Sequence, residues 1–111
     1  MAKYVPERGD VVWLHFDPSA GHEQAGHRPA FVISPRAYNA VSGIMLCCPM
    51  TTKIKGYPFE VEIVAPDGGK SAVLSDQVKS LNWVVRAAKF RFSADPAVFV
   101  EARAKMSVLF R

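Results

Sequence analysis

Apolar residues recur along the chain in runs of about five to eight, separated by glycine, proline and polar clusters, as in a small barrel or sandwich of short strands. About five or six strands are predicted. Asp10 to Phe16, Pro29 to Ser34 and Gly43 to Met50 are nearly continuous in apolar residues, which predicts central strands buried on both faces. Phe59, Val61 and Ile63 alternate with Glu60 and Glu62, marking a strand with one wet face. Pro66-Asp67-Gly68-Gly69 then supplies turn residues before Ser71 to Leu74, so a hairpin is expected there. A further strand is placed within Asn82 to Phe92, where polarity alternates from Lys89 onward. Asp95-Pro96 reads as a helix cap followed by proline at the first helical position, and Phe99, Ala102, Met106, Leu109 and Phe110 fall on one helical face. The predicted class is mainly β, a small barrel closed at one end by a C-terminal helix.

A chain of 111 residues, half of them apolar, supports one core, so residues 1–111 are expected to form a single domain. No apolar stretch approaches the roughly 18 residues needed to span a bilayer. Met1 to Asp10 mixes Lys3, Glu7, Arg8 and Asp10 without an apolar run, which is unlike a signal peptide. A cytoplasmic protein with no membrane partner is expected. Cys47 and Cys48 are adjacent in an apolar run, where strand neighbours point to opposite faces; they predict two buried thiols and no disulfide. His15, His22 and His27 are scattered away from ligand spacing, so neither a metal nor another cofactor is expected.

The net charge of +4 favours an acidic partner, and its distribution sharpens the point. Residues 1–76 carry seven basic and eight acidic side chains, whereas residues 77–111 carry seven basic side chains against Asp95 and Glu101. Charges of this kind also serve simply to solvate a face.

Three segments hold candidate chemistry. The polar stretch from Asp17 to Pro29 is long for a connection between two apolar strands, and connections of that length in small domains are usually functional. Pro29 biases Arg28 toward extended backbone where this stretch meets the sheet. A guanidinium offers five donors in a fork that matches phosphate oxygens, although an ion pair with Glu23 or Asp17 would also occupy it. In the second segment, Pro49 to Phe59, Thr51, Thr52, Lys53 and Lys55 follow directly on a buried strand; hydroxyls and ammonium groups at a strand end can cradle a phosphate. In the third, Ser75 to Ser80, the Asp76 carboxylate and Gln77 amide can hydrogen-bond exposed base edges of single-stranded RNA.

Gly9-Asp10-Val11-Val12-Trp13, Glu23-Gln24-Ala25-Gly26-His27-Arg28-Pro29-Ala30, Cys48-Pro49-Met50-Thr51-Thr52, Lys55-Gly56-Tyr57-Pro58-Phe59-Glu60-Val61 and Ser75-Asp76-Gln77-Val78-Lys79-Ser80 together resemble the MazF/PemK family. The motifs stand in family order over nearly the whole chain. The C-terminal third resembles the family mainly in its basic, helical character, and His22 and Met50 are positions where relatives vary. The resemblance implies an SH3-like β-barrel with a C-terminal helix and a homodimer with RNA along the dimer groove. It also implies a toxin of a toxin–antitoxin pair that cleaves messenger RNA at short sequence motifs, blocking translation and growth. The family's catalytic arginine falls on Arg28, its catalytic threonine on Thr51, and its loop glutamate on Glu23. Residues expected to bind RNA are Gln24, Thr52, Lys53, Lys55, Tyr57, Asp76, Gln77 and Lys79.

Metal-free RNA cleavage uses the substrate's own 2′-hydroxyl as nucleophile and leaves a 2′,3′-cyclic phosphate and a 5′-hydroxyl. Arg28 and Thr51 suit charge stabilisation at the phosphate. A guanidinium stays protonated at neutral pH and is a poor base, which leaves Glu23 and His27 as the proton acceptors to be weighed. The expected protein partner is an antitoxin with an acidic flexible segment. A CcdB-like gyrase inhibitor of the same architecture is the alternative from another class, and a non-catalytic RNA-binding barrel a third.

Overall fold

β-Branched and aromatic side chains fit a pleated surface packed on both sides, and the long apolar runs form the middle of one curled antiparallel sheet. A computed structural model describes residues 3–15 and 27–111. The strands are β1 (Asp10–His15), β2 (His27–Val32), β3 (Ile44–Thr51), β4 (Glu60–Val64), β5 (Lys70–Leu74), β6 (Lys79–Asn82) and β7 (Lys89–Ser93). Helix α1 (Arg36–Ser42) joins β2 to β3, and α2 (Pro96–Ser107) follows β7. The strand order is β4-β5-β3-β2-β1-β7, with β6 also paired to β3.

β3 is the hub. It takes β2 along Cys47–Pro49 on one side, and on the other β6 along Ile44–Cys47 and then β5 at Met50–Thr51. Strand alternation sends its two cysteines to opposite faces, so Cys48 lies in one core and Cys47 in the other, both free and buried. Burial pushes both thiols up to about 12, which leaves them unreactive. The first core packs Val11, Phe31, Cys48, Val61, Ile63 and Val73 under Val98, Ala102 and Met106 of α2. The second packs Val12, Leu14, Ala30, Val32, Met45 and Cys47 under Tyr4, Leu81, Trp83 and Ala88. The middles of the three apolar runs are thus covered on both faces, while Trp13 and His15 stay half-buried and Leu46 is exposed.

The β4–β5 hairpin also follows the sequence. Asp67 accepts from the Gly69 amide at 2.8 Å, and Gly68 takes a left-handed φ of 90°, which a side chain would disfavour.

Three features depart from the sequence reading. Helix α1 replaces a connection with no predicted element; it is seven residues long and is held by buried Asn39, which bonds Pro6 O, Ser34 O and the Ser34 hydroxyl. β6 continues from a stretch read only as polar, because its partner β3 supplies the ladder that its own sequence does not announce. The buried stripe of α2 is Val98, Ala102 and Met106 with Phe99 half-buried, while Leu109 and Phe110 are exposed. α2 ends at Ser107, and Val108–Phe110 tighten into a 3₁₀ turn of three residues per turn, which rotates Leu109 and Phe110 off the stripe.

Candidate active-site cleft

Arg28 is the second residue of β2 and Thr51 the last of β3. The β2–β3 ladder runs from Val32 opposite Cys47 to Ala30 opposite Pro49. Two further steps along both strands bring Arg28 level with Thr51. Paired residues share a face, so the guanidinium and the hydroxyl project to the same side of the sheet. They line one cleft of about 360 Å³ with Pro29, Pro49, Met50, Leu74, Gln77 and Lys79. Gln77 and Lys79 arrive there because the chain leaving β5 crosses to β6 beside the end of β3.

A second cleft of about 410 Å³ shares Thr51, Leu74 and Gln77 with the first and adds Lys53, Lys55, Gly56, Tyr57 and Glu60. The two therefore form one groove. Its cations are Arg28, Lys79, Lys53 and Lys55, and the ion pair found among the described residues lies elsewhere, between Lys105 and Glu101 at 3.1 Å.

The carboxylates near the groove are engaged. Glu60 accepts from the amides of Lys55, Gly56 and Tyr57 at 2.9–3.2 Å and so folds the cationic loop around itself. Gly56 makes that turn possible with a φ of 77°. Asp76 accepts from the Tyr57 hydroxyl at 3.2 Å, and that bond, with the charge behind it, raises the hydroxyl above its ordinary range. The other Asp76 oxygen is buried without a hydrogen-bond partner among the described residues. Thr51 Oγ1 accepts from the Lys53 amide at 3.0 Å, which leaves its own hydrogen uncommitted for donation.

Of the residues singled out in the sequence, Arg28, Thr51, Lys53, Lys55, Tyr57, Gln77 and Lys79 meet in this groove, with Asp76 bonded to Tyr57. Thr52 is exposed and lines neither cleft. His27 neighbours Arg28 but points to the opposite face, where its ring lies 4.7 Å from that of His15 and 5.2 Å from that of Trp13. Burial first, then the charges of His15 and Lys89, hold His27 below the ordinary histidine range. Glu23 and Gln24 lie outside the described residues. Glu60 was missed as a site residue because its alternation with apolar neighbours marks it only as a wet strand position; the signal was Gly56-Tyr57-Pro58 just before it, a turn needing an acceptor for its amides. Among the described residues no group of three or more His, Cys, Asp or Glu side chains is placed to hold a metal ion.

A forked cation and a hydroxyl with an uncommitted hydrogen on one face, with lysines along the walls, have the chemistry to hold a phosphate. Residues 7–110 match the family described as PemK-like, MazF-like toxin of type II toxin–antitoxin system, and the chain belongs to that family. It is 46% identical over 109 residues to the endoribonuclease toxin MazF of Escherichia coli (strain K12), covering 98% of this chain and 97% of that protein. Its fold matches MazF from Deinococcus radiodurans with a TM-score of 0.85 at 49% identity, covering 97% of this chain and 98% of the other. The match to a MazE–MazF complex from the same organism has a TM-score of 0.84 at 44% identity and covers 97% of each chain.

Proposed function

We propose that this protein is a sequence-specific endoribonuclease that cuts single-stranded messenger RNA without a metal and thereby blocks translation and growth as the toxin of its pair. The observation that carries the reading is the juxtaposition of Arg28 and Thr51, level on one face of the sheet in a cleft with Gln77 and Lys79. Arg28 holds the scissile phosphate through two parallel hydrogen bonds and neutralises the charge that grows on its oxygens. Thr51 donates to a non-bridging oxygen. The substrate's 2′-oxygen attacks phosphorus, its proton passes to a base, the bond to the 5′-oxygen breaks, and a proton returns to that oxygen. Glu23 is the base we assign, since His27 projects from the other face of β2. Lys53, Lys55 and Lys79 track the flanking phosphates, while Gln77, Tyr57 and Asp76 face the bases.

The protein acts in the cytoplasm as a homodimer, for which exposed apolar side chains such as Val100, Leu109 and Phe110 provide covered area. Its antitoxin lays an acidic flexible segment along the same cations, a placement supported by the groove's positive charge; a relative is crystallised as a MazE–MazF complex.

Labelled single-stranded RNA incubated with the protein in EDTA tests the reading. Products ending in a 2′,3′-cyclic phosphate, and none when a 2′-deoxynucleotide replaces the nucleotide at the cut, are expected. Intact RNA with inhibited gyrase would instead point to the CcdB-like alternative, and binding without cutting to a non-catalytic module.

A further inference from the structure

The sheet face opposite the Arg28 and Thr51 side chains carries a row of side chains that the proposed chemistry leaves unused. It crosses three strands: His27 on β2, His15 and Trp13 on β1, and Arg91 and Lys89 on β7. The His15 and His27 rings stack at 4.7 Å with 20° between planes, Trp13 lies 5.2 Å from His27, and the Arg91 guanidinium sits 4.6 Å over Trp13. Lys89 is the ladder partner of Trp13.

Arg91 belongs to this row by a break in the strand. β7 pairs Phe92 with Val11 and Phe90 with Val12, so Arg91 is the extra residue of a β-bulge. Simple alternation would turn it away from Phe92's side; the bulge re-aims it over the indole. Bulges gather where a side chain must be redirected, and this one completes a continuous strip of flat rings and cations. Neither Arg91 nor Lys89 forms an ion pair among the described residues. After burial, the nearby charges of His15 and Lys89 keep His27 below its ordinary range, a repulsion that a bound anion would relieve.

We propose that this strip is a second contact for single-stranded RNA, where unpaired bases stack on the imidazole, indole and guanidinium planes and their phosphates meet Arg91 and Lys89. The inference rests on the ribonuclease reading. His27 and Arg28 are consecutive on opposite faces of β2, so one RNA strand passing over the end of that strand touches both sites. Every base has a flat face, so such stacking is tolerant of sequence. An acidic peptide would use the charges and leave the rings idle, which favours RNA as the occupant.

The test uses two RNAs made uncleavable by a 2′-deoxynucleotide at the mapped cut, one confined to the nucleotides around it and one extended on both sides. Trp83→Phe leaves Trp13 as the only tryptophan. The longer RNA should quench Trp13 fluorescence and bind roughly five-fold tighter than the short one, with Arg91→Ala bringing that ratio close to one. Filter binding of both RNAs to the chain with Trp83 intact measures the same ratio if the tryptophan variant fails to fold. A ratio of one and silent Trp13, with the cleavable short RNA still cut, overturns the strip alone. If neither RNA binds and no RNA is cut, the ribonuclease reading fails and takes the strip with it. Quenching of Trp13 by an acidic peptide but not by the longer RNA overturns the proposal in favour of a protein occupant.

Discussion

At Arg28 an exposed guanidinium stands level with a threonine whose hydroxyl hydrogen is uncommitted. Because the arginine supports nothing in either core, Arg28→Ala is expected to leave the melting temperature nearly unchanged. It should lower kcat by at least about 100-fold, the scale seen when one preorganised donor to a developing oxyanion is removed. Calorimetry beside single-turnover cleavage checks both halves, and a folded variant cutting at the original rate would refute the assignment. Glu60 works differently, since its carboxylate is spent on the amides of the loop. Glu60→Ala releases three amides, and the lysines and Tyr57 lose their fixed placement. KM should rise several-fold with a smaller change in kcat, and Glu60→Gln, whose carbonyl can still accept, should recover part of the loss. Equal KM values for Glu60→Ala and the parent would show that the loop needs no such anchor. The motif around Arg28 is readable in the sequence because proline and a long polar stretch frame it; Glu60 is harder to read, because its alternation with apolar neighbours looks like any wet strand position and only the turn before it marks amides that need an acceptor.

Among the elements, α2 closes the first core through Val98, Ala102 and Met106. Met106→Ala is expected to cost about 2–5 kcal/mol, the range for emptying a buried site of that size, measurable by urea unfolding. The helix itself was legible from Asp95-Pro96, and Asp95 does cap it, accepting from the Ala97 amide at 2.9 Å. Its last turn was not, since a shift from 3.6 to three residues per turn depends on how the helix ends and not on apolar spacing. The paired ends of β1 and β2 carry a pH response. His27 is held below 6.5 in the folded chain, so the unfolded chain binds more protons between that depressed value and 6.5. The histidine's contribution to stability is therefore complete above about pH 6.5 and declines as pH falls through that window. Melting temperatures recorded from pH 7.5 to 5 should drop on the acid side, and His27→Gln should flatten the drop; an identical profile in the variant would refute this origin.

For the molecule as a whole, the groove is an electrostatic object. Four cations, Arg28, Lys53, Lys55 and Lys79, line it. If each meets a phosphate, log K for uncleavable RNA should fall against log salt with a slope near −3, about −0.7 per contact on a single strand. Lys79→Ala should reduce the slope by about 0.7, and an unaltered slope would place Lys79 outside the RNA path. The barrel-like class, its central strands and most of the groove could be read from the chain because apolar runs, turn residues and motif order are local signals. The strand-to-strand juxtapositions could not. β6 and the bulge at Arg91 exist through their partners, and α1 through a single buried asparagine, so each is a property of pairing and not of any one segment.

Strand β3 is bonded along both edges and gripped by a core on either face. Its amides should be the last to exchange with deuterium, and whatever is mounted on its tip inherits that rigidity. Thr51 is so mounted, whereas Arg28 reaches the same spot on a long, jointed arm. A substrate of slightly altered backbone geometry would thus be accommodated by the arginine swinging to it, with the threonine acting as the fixed gauge against which the phosphate is positioned.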